Sequence, residues 1–282
     1  MCSPKVARSV QERVRREGLP GLSRRNFLQM GAVGTLGVLA ASLVRTERVA
    51  RASSFTEVID LSHVFGTAIP TYLPDEKPQR EDFVTVEKDG FFIQRWVYTE
   101  HAGTHVDIPA HFIADGERAD KYPAEMLVGQ AVVIDISAKA AQMADATLDL
   151  ADVEAWERAN GKIPEGAIVF MYSGWETRWD DPIAFRNADE SDVQHYPGFS
   201  AEAATFLIEE RNIKGVGVDT LSLDFGASTT FDAHYAILGR GRFGVENVAN
   251  LALIKDRQAT VIIGMPRWER GSGGPARVLA LL

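Results

Sequence analysis

His101-Ala-Gly-Thr-His105-Val-Asp107-Ile-Pro-Ala-His111-Phe112 is the stretch on which the reading of this chain turns. The chain has six histidines, and three of them fall between positions 101 and 111. Imidazole and carboxylate are ligands that suit zinc, manganese or iron. Three imidazoles so close together repel one another once protonated, unless an ion or hydrogen bonds organise them. A spacing of four would put His101 and His105 on one helix face. Gly103, Thr104, Val106 and the Ile108-Pro109 step oppose a helix, because the residue before proline is pushed toward extended geometry. The segment therefore reads as an irregular strand-to-loop, with Gly103 turning the backbone tightly so that His101 and His105 converge. One short motif does not close a metal site, so further ligands are expected from elsewhere. Two candidates lie downstream. One is His234, and the other is Glu246, which ends a glycine-punctuated turn between Phe243, Val245 and Val248. His63 and His195 stand alone and read as ordinary hydrogen-bonded or exposed side chains.

Strand-like runs rich in Val, Ile and aromatics surround this segment at 56–61, 83–87, 91–99, 131–136, 167–172, 215–219 and 259–265. The run 91–99 ends close enough to His101 to deliver the histidines at a strand's exit. Helical patterns cover 149–160, 200–211 and 233–238, with Ser200 placed to cap the second and Asn212 placed to end it. Strands outnumber helices without strict alternation, and no linker or repeat follows Ser53. The fold class is α/β, with residues 53–282 forming a single mixed domain of barrel-like or sandwich-like build. The segment 174–197, with Trp175, Trp179 and Phe185, reads as a long excursion able to cap a pocket.

The first fifty or so residues differ in kind. Arginines precede an uncharged apolar run at 30–44, and the sequence then reaches Val49-Ala-Arg-Ala52-Ser53. This order describes a cleaved export signal. Ser23-Arg24-Arg25-Asn26-Phe27-Leu28 is similar to the twin-arginine signal for pre-folded cargo. The expectation is removal of residues 1–52 and a periplasmic or extracellular location without stable membrane association. Those 52 residues hold ten of the 30 Lys and Arg and three of the 39 Asp and Glu. The remainder keeps 20 basic against 36 acidic side chains, an excess that repels nucleic acid and anionic lipid. Cys2, the only cysteine, leaves with the signal. The glycine runs at 239–244 and 271–274 lack the lysine and hydroxyl of a phosphate loop and read as turns. No G-x-S-x-G elbow supports serine hydrolysis.

The histidine stretch resembles the H-x-G-T-H-x-D-x-P-x-H-F motif of the cyclase family, the bacterial kynurenine formamidases and isatin hydrolases. Supporting stretches are Asp60-Leu-Ser-His63, Gly217-Val-Asp-Thr220, His234, Glu246-Asn-Val-Ala-Asn-Leu251 and Gly271-Ser-Gly-Gly-Pro-Ala-Arg277. The resemblance implies a swivelling β/β/α barrel, a homodimer, and one or two divalent ions, zinc or manganese, in each subunit. It implies that His101, His105 and Asp107 are metal ligands, with Asp107 able to bridge two ions. It further implies that His234 and Glu246 complete the site, that Glu246 or a bridging Asp107 orients the nucleophile, and that His111 donates and accepts the proton. Tyr72, after the Ile69-Pro70 turn, borders the substrate pocket. The implied reaction is hydrolysis of an amide in a small aromatic substrate by metal-activated water, as in the kynurenine formamidases. Hydrolysis of cyclic amides or lactones is the alternative, and a non-catalytic exported binding protein is a second.

Overall fold

Alternation along the central strands decides which way each layer of the molecule faces. The computed structural model describes residues 55–282; the twin-arginine expectation and Cys2 fall outside the described residues. The strands are β1 (Val58–Asp60), β2 (Gln79–Val84), β3 (Ile93–Val97), β4 (His105–Asp107), β5 (Val128–Asp135), β6 (Thr147–Leu148) and β7 (Ile168–Tyr172). They continue with β8 (Gly198–Phe199), β9 (Gly215–Val218), β10 (Phe243–Glu246), β11 (Thr260–Gly264), β12 (Gly273–Pro275) and β13 (Arg277–Leu281). Three longer helices follow the pattern of the sequence: α1 (Leu150–Asn160), α2 (Ala201–Arg211) and α3 (Asp232–Leu238). Ser200 caps α2 by accepting from the Ala203 N–H, and Asn212 ends it in the left-handed region at φ 48°.

Nine strands build one mixed sheet in the order β1-β13-β11-β5-β7-β9-β10-β4-β12. The centre, from β5 through β7 and β9 to β10, is parallel, and both flanks are antiparallel. Val132, Ile134, Val169, Met171, Val216 and Val218 point to one face and pack on α1, α2 and α3. Their neighbours Ala131, Val133, Ile168, Phe170, Phe243 and Val245 point to the other and meet Val261, Val278 and Ala280. Successive strand residues face opposite sides, so one strand serves two cores. The sheet curls into a half-barrel. Ser62, just past β1 at one edge, bridges Val248, just past β10, and Leu61 O accepts from Ala249 N at 2.9 Å. A single mixed α/β domain is what the sequence led us to expect.

Two local expectations need correction. The run 83–87 is not one strand: β2 stops at Val84, and Val86–Asp89 is a helical turn closed by Gly90 at φ 80°. The run 91–99 yields β3, which pairs only with β2 in a separate two-stranded ribbon and does not enter the main sheet. β10, β12 and β13 were not foreseen as strands. Glycine is a poor strand former on propensity alone, but here it permits close approach. A Cβ at Gly244 would stand 2.4 Å from Leu223 Cδ1, and one at Gly273 would stand 2.2 Å from Val106 O. Among the described residues, no helix is long and apolar enough to cross a membrane.

Candidate metal centre

β4 lies between β10 and β12, with His105 opposite Glu246 and Asp107 opposite Gly244 on one side. Val106 turns into the half-barrel core, so His105 and Asp107 share the opposite face, the one covered by α3. Register and alternation thus bring His105, Asp107 and Glu246 together, and α3 lowers His234 onto them. Gly103, at φ 67°, makes the tight turn expected of it; a Cβ there would press on Phe65 at 2.8 Å. Ile108 is extended ahead of Pro109, and a short 3-10 turn, Pro109–His111, follows.

The four buried groups converge at even spacing. His105 Nε2 is 3.3 Å from Asp107 Oδ1 and from Glu246 Oε2. His234 Nε2 is likewise 3.3 Å from Asp107 Oδ2 and from Glu246 Oε1. The outer atoms are already engaged. His105 Nδ1 donates to Gly103 O at 2.9 Å, and His234 Nδ1 donates to Asp224 Oδ2 at 2.6 Å. A backbone carbonyl accepts only, so His105 bears a proton on Nδ1 and turns Nε2 inward. Such an outer partner is what fixes the tautomer of a metal-binding histidine. Asp224 also accepts from the Ala233 and His234 N–H groups, so it seats the first turn of α3 while orienting the His234 ring. Glu246 Oε1 is held by Leu223 N at 2.9 Å.

His101 and His111 stand beside this nest. Their rings stack at 3.7 Å, and His101 Nδ1 lies 2.5 Å from Asp107 Oδ1. His105, Asp107 and Glu246 form one cluster able to hold a cation, and His101, Asp107 and His111 form another. Asp107 belongs to both. Of the residues expected at the site, the structure thus gathers His101, His105, Asp107, His111, His234 and Glu246. Tyr72 is tied in less directly: its carbonyl accepts from Gln194 Nε2 at 2.8 Å and from Arg186 Nε at 3.3 Å, both on the 174–197 excursion. That excursion has a small core of its own, in which Trp175, Phe185, Tyr196 and Leu221 are buried together. His63 stacks on Trp179 at 3.9 Å, and His195 pairs with Asp145, far from the other histidines in role. Asp224 was missed, because an acid inside Ser222-Leu-Asp-Phe-Gly carries no spacing signal.

Electrostatics favour a cation at this point. Burial opposes charge on His105, but Asp107 and Glu246 outweigh it and push the imidazolium up to about 10. Burial likewise opposes charge on His234, and the carboxylates of Asp107, Asp224 and Glu246 raise it well above the usual range. Burial would raise the Asp107 carboxyl, yet His101, His111 and His105 hold it well below the carboxylate range. His111 moves the other way: burial and then the neighbouring His101 hold it well below the usual imidazole range. The donor set fits a divalent ion on two counts. Nitrogen and carboxylate donors match zinc and manganese, and the buried His105 Nε2 and Asp107 Oδ2 have no hydrogen-bond partner.

Residues 59–225 match the family model described as a putative cyclase. The chain belongs to the cyclase family. This cyclase-family chain is 32% identical over 270 residues to the isatin hydrolase of Roseibium aggregatum, an alignment covering 90% of the chain and 99% of the relative. It is 25% identical over 229 residues to the kynurenine formamidase of Bacillus cytotoxicus, covering 79% of the chain and 97% of the relative. Among solved structures, isatin hydrolase A from Labrenzia aggregata bound to benzyl benzoate superposes with a TM-score of 0.75 at 34% identity. That superposition covers 80% of this chain and 93% of the other.

Proposed function

We propose that this cyclase-family chain is a metal-dependent hydrolase of an amide bond in a small aromatic substrate. The observation that carries the reading is the convergence of His105 Nε2, His234 Nε2 and the Asp107 and Glu246 oxygens at 3.3 Å, with His111 beside them. His105, Asp107, His234 and Glu246 would hold a divalent ion, zinc or manganese, and His101 extends the set through Asp107. When bound, such an ion supplies Lewis acidity, polarising a carbonyl and lowering the pKa of water from about 15.7 to about 7. The protein's own groups do the rest. Glu246 orients the attacking water, and His111 takes a proton and returns it to the leaving nitrogen. Tyr72 and the 174–197 excursion border the substrate.

Two substrate classes follow from the relatives. Cyclic amides of the isatin type come first, because the isatin hydrolase matches over 99% of its length at the higher identity. N-formyl aromatic amides, which the histidine motif suggests equally, come second. Metal quantification on purified protein, followed by turnover of isatin, N-formylkynurenine and a simple lactone, tests the reading. Absence of turnover across that panel with metal tightly held would leave a binding protein instead.

We also propose twin-arginine export to the periplasm and a homodimer in solution. The ribbon of β2 and β3 supports the second. Phe83, Phe91, Phe92, Ile93 and Val97 are exposed on or beside it, with Arg95 paired to Glu81 and lying over Phe83 among them, a mixed surface on which a second subunit could pack.

A further inference from the structure

The glycine-flanked Ser272 sits against His101, a site histidine with no backbone carbonyl on either ring nitrogen. Ser272 N and Oγ both donate to Glu100 Oε2, at 2.8 and 2.7 Å. Ser272 Oγ is also 2.9 Å from His101 Nε2. A serine hydroxyl has one proton, and a carboxylate accepts only. With that proton committed to Glu100, the hydroxyl oxygen is left as an acceptor facing Nε2. His101 must therefore carry a proton on Nε2. Nδ1 faces the site and, without an ion, donates to Asp107 Oδ1 at 2.5 Å. A metal would displace the Nδ1 proton and leave the Nε2 proton in place.

The surrounding backbone is built for this contact. A Cβ at Gly273 would meet His101 Cε1 at 2.7 Å, and one at Gly271 would meet Trp268 Cβ at 2.7 Å and Glu100 Oε1 at 3.1 Å. Bare backbone on both sides lets the segment lie flat against the imidazole and the Glu100 carboxylate. Ile108 N donates to Ser272 O at 3.2 Å, and Gly273 pairs with Asp107, which locks the serine to the strand carrying the other ligands.

We propose that Glu100 and Ser272 are positioning residues that hold the Nε2 proton of His101, so that His101 offers Nδ1 to the metal. His105 and His234 are turned the opposite way, with Nδ1 bound outward and Nε2 inward. The inference rests on the metal-dependent reading, but its key readout does not need the metal. Histidine side-chain 15N spectra should show His101 Nε2 protonated in metal-free and in zinc-loaded protein alike, with only Nδ1 changing on loading. Ser272→Ala removes the acceptor, and Glu100→Ala frees the hydroxyl to donate to Nε2. Each should weaken zinc or manganese affinity about 10–100-fold in chelator competition, with the melting temperature of the metal-free protein kept. Ser272→Thr, which retains the hydroxyl, should recover most of the affinity. Either an unprotonated His101 Nε2 or unchanged affinity in both alanine variants would overturn the assignment. If wild type binds no metal, the hydrolase reading fails, and the proton on Nε2 of the metal-free protein still decides whether Glu100 and Ser272 orient His101.

Discussion

Two ribbons of this molecule invert the usual rule of burial in opposite senses. In β4 the ionisable side chains His105 and Asp107 are buried as fully as Val106 between them, at 2% and 1% exposure. In and beside the β2–β3 ribbon apolar side chains stand exposed among the charged ones, with Phe91, just ahead of β3, at 54% and Val97 at 62%. Each inversion costs free energy in isolation, the first through desolvated charge and the second through wetted hydrocarbon. On the reading proposed above, a divalent cation would relieve the first and a second copy of the chain the second. The difference lies in how the relief is built: β4 fixes individual atoms, whereas the ribbon offers only area.

The sharpest way to break the comparison is at β4. His105→Ala should abolish metal retention, and it removes one of the two imidazoles that the buried Asp107 and Glu246 carboxylates share, leaving only His234 between them. The expected loss is about 3–5 kcal/mol in chemical denaturation. A variant as stable as wild type would mean that the charge in β4 needs no counterpart. His111→Ala should lower kcat about 10²–10⁴-fold while metal content measured by atomic absorption stays at the wild-type level. Joint loss of metal would instead move His111 into the ligand set it can form with His101 and Asp107.

The ribbon predicts a change of assembly and little change of chemistry. Phe91→Lys combined with Phe92→Asp should halve the mass seen by light scattering and leave metal content untouched. A wild-type protein that runs as a monomer removes the second half of the comparison. The smallest effect belongs to His63, whose ring stacks on Trp179. Burial pulls it down to about 4, with Asp180 opposing only partly. Between the unfolded value of about 6.5 and that folded value, the unfolded chain binds the proton and the folded chain does not. Its share of stability is therefore present above pH 6.5 and is lost as pH falls toward 4. His63→Phe keeps the stack and should flatten the melting-temperature profile across that window.

Much of this was legible in the order of residues alone. The histidine motif announced a cation site, and the positions of Gly103 and Pro109 foretold its irregular backbone. The helices over 150–160 and 201–211 and the Val- and Ile-rich central strands followed from periodicity and capping, which act over a few residues. The parts that depended on distant neighbours were not legible. Phe243-Gly-Val-Glu and Gly273-Gly-Pro become strands by pairing with β4 and β9, and glycine at 244 and 273 allows the close approach that pairing brings; local propensity contains neither fact. Asp224 matters because α3 begins above it, and Glu100 and Ser272 meet across 172 positions of sequence. The sequence by itself determined which atoms could bind a metal. Only the tertiary structure decided which nitrogen of each ring faces inward, because that choice is made by hydrogen-bond partners that β-sheet register and close glycine contacts bring from remote parts of the chain.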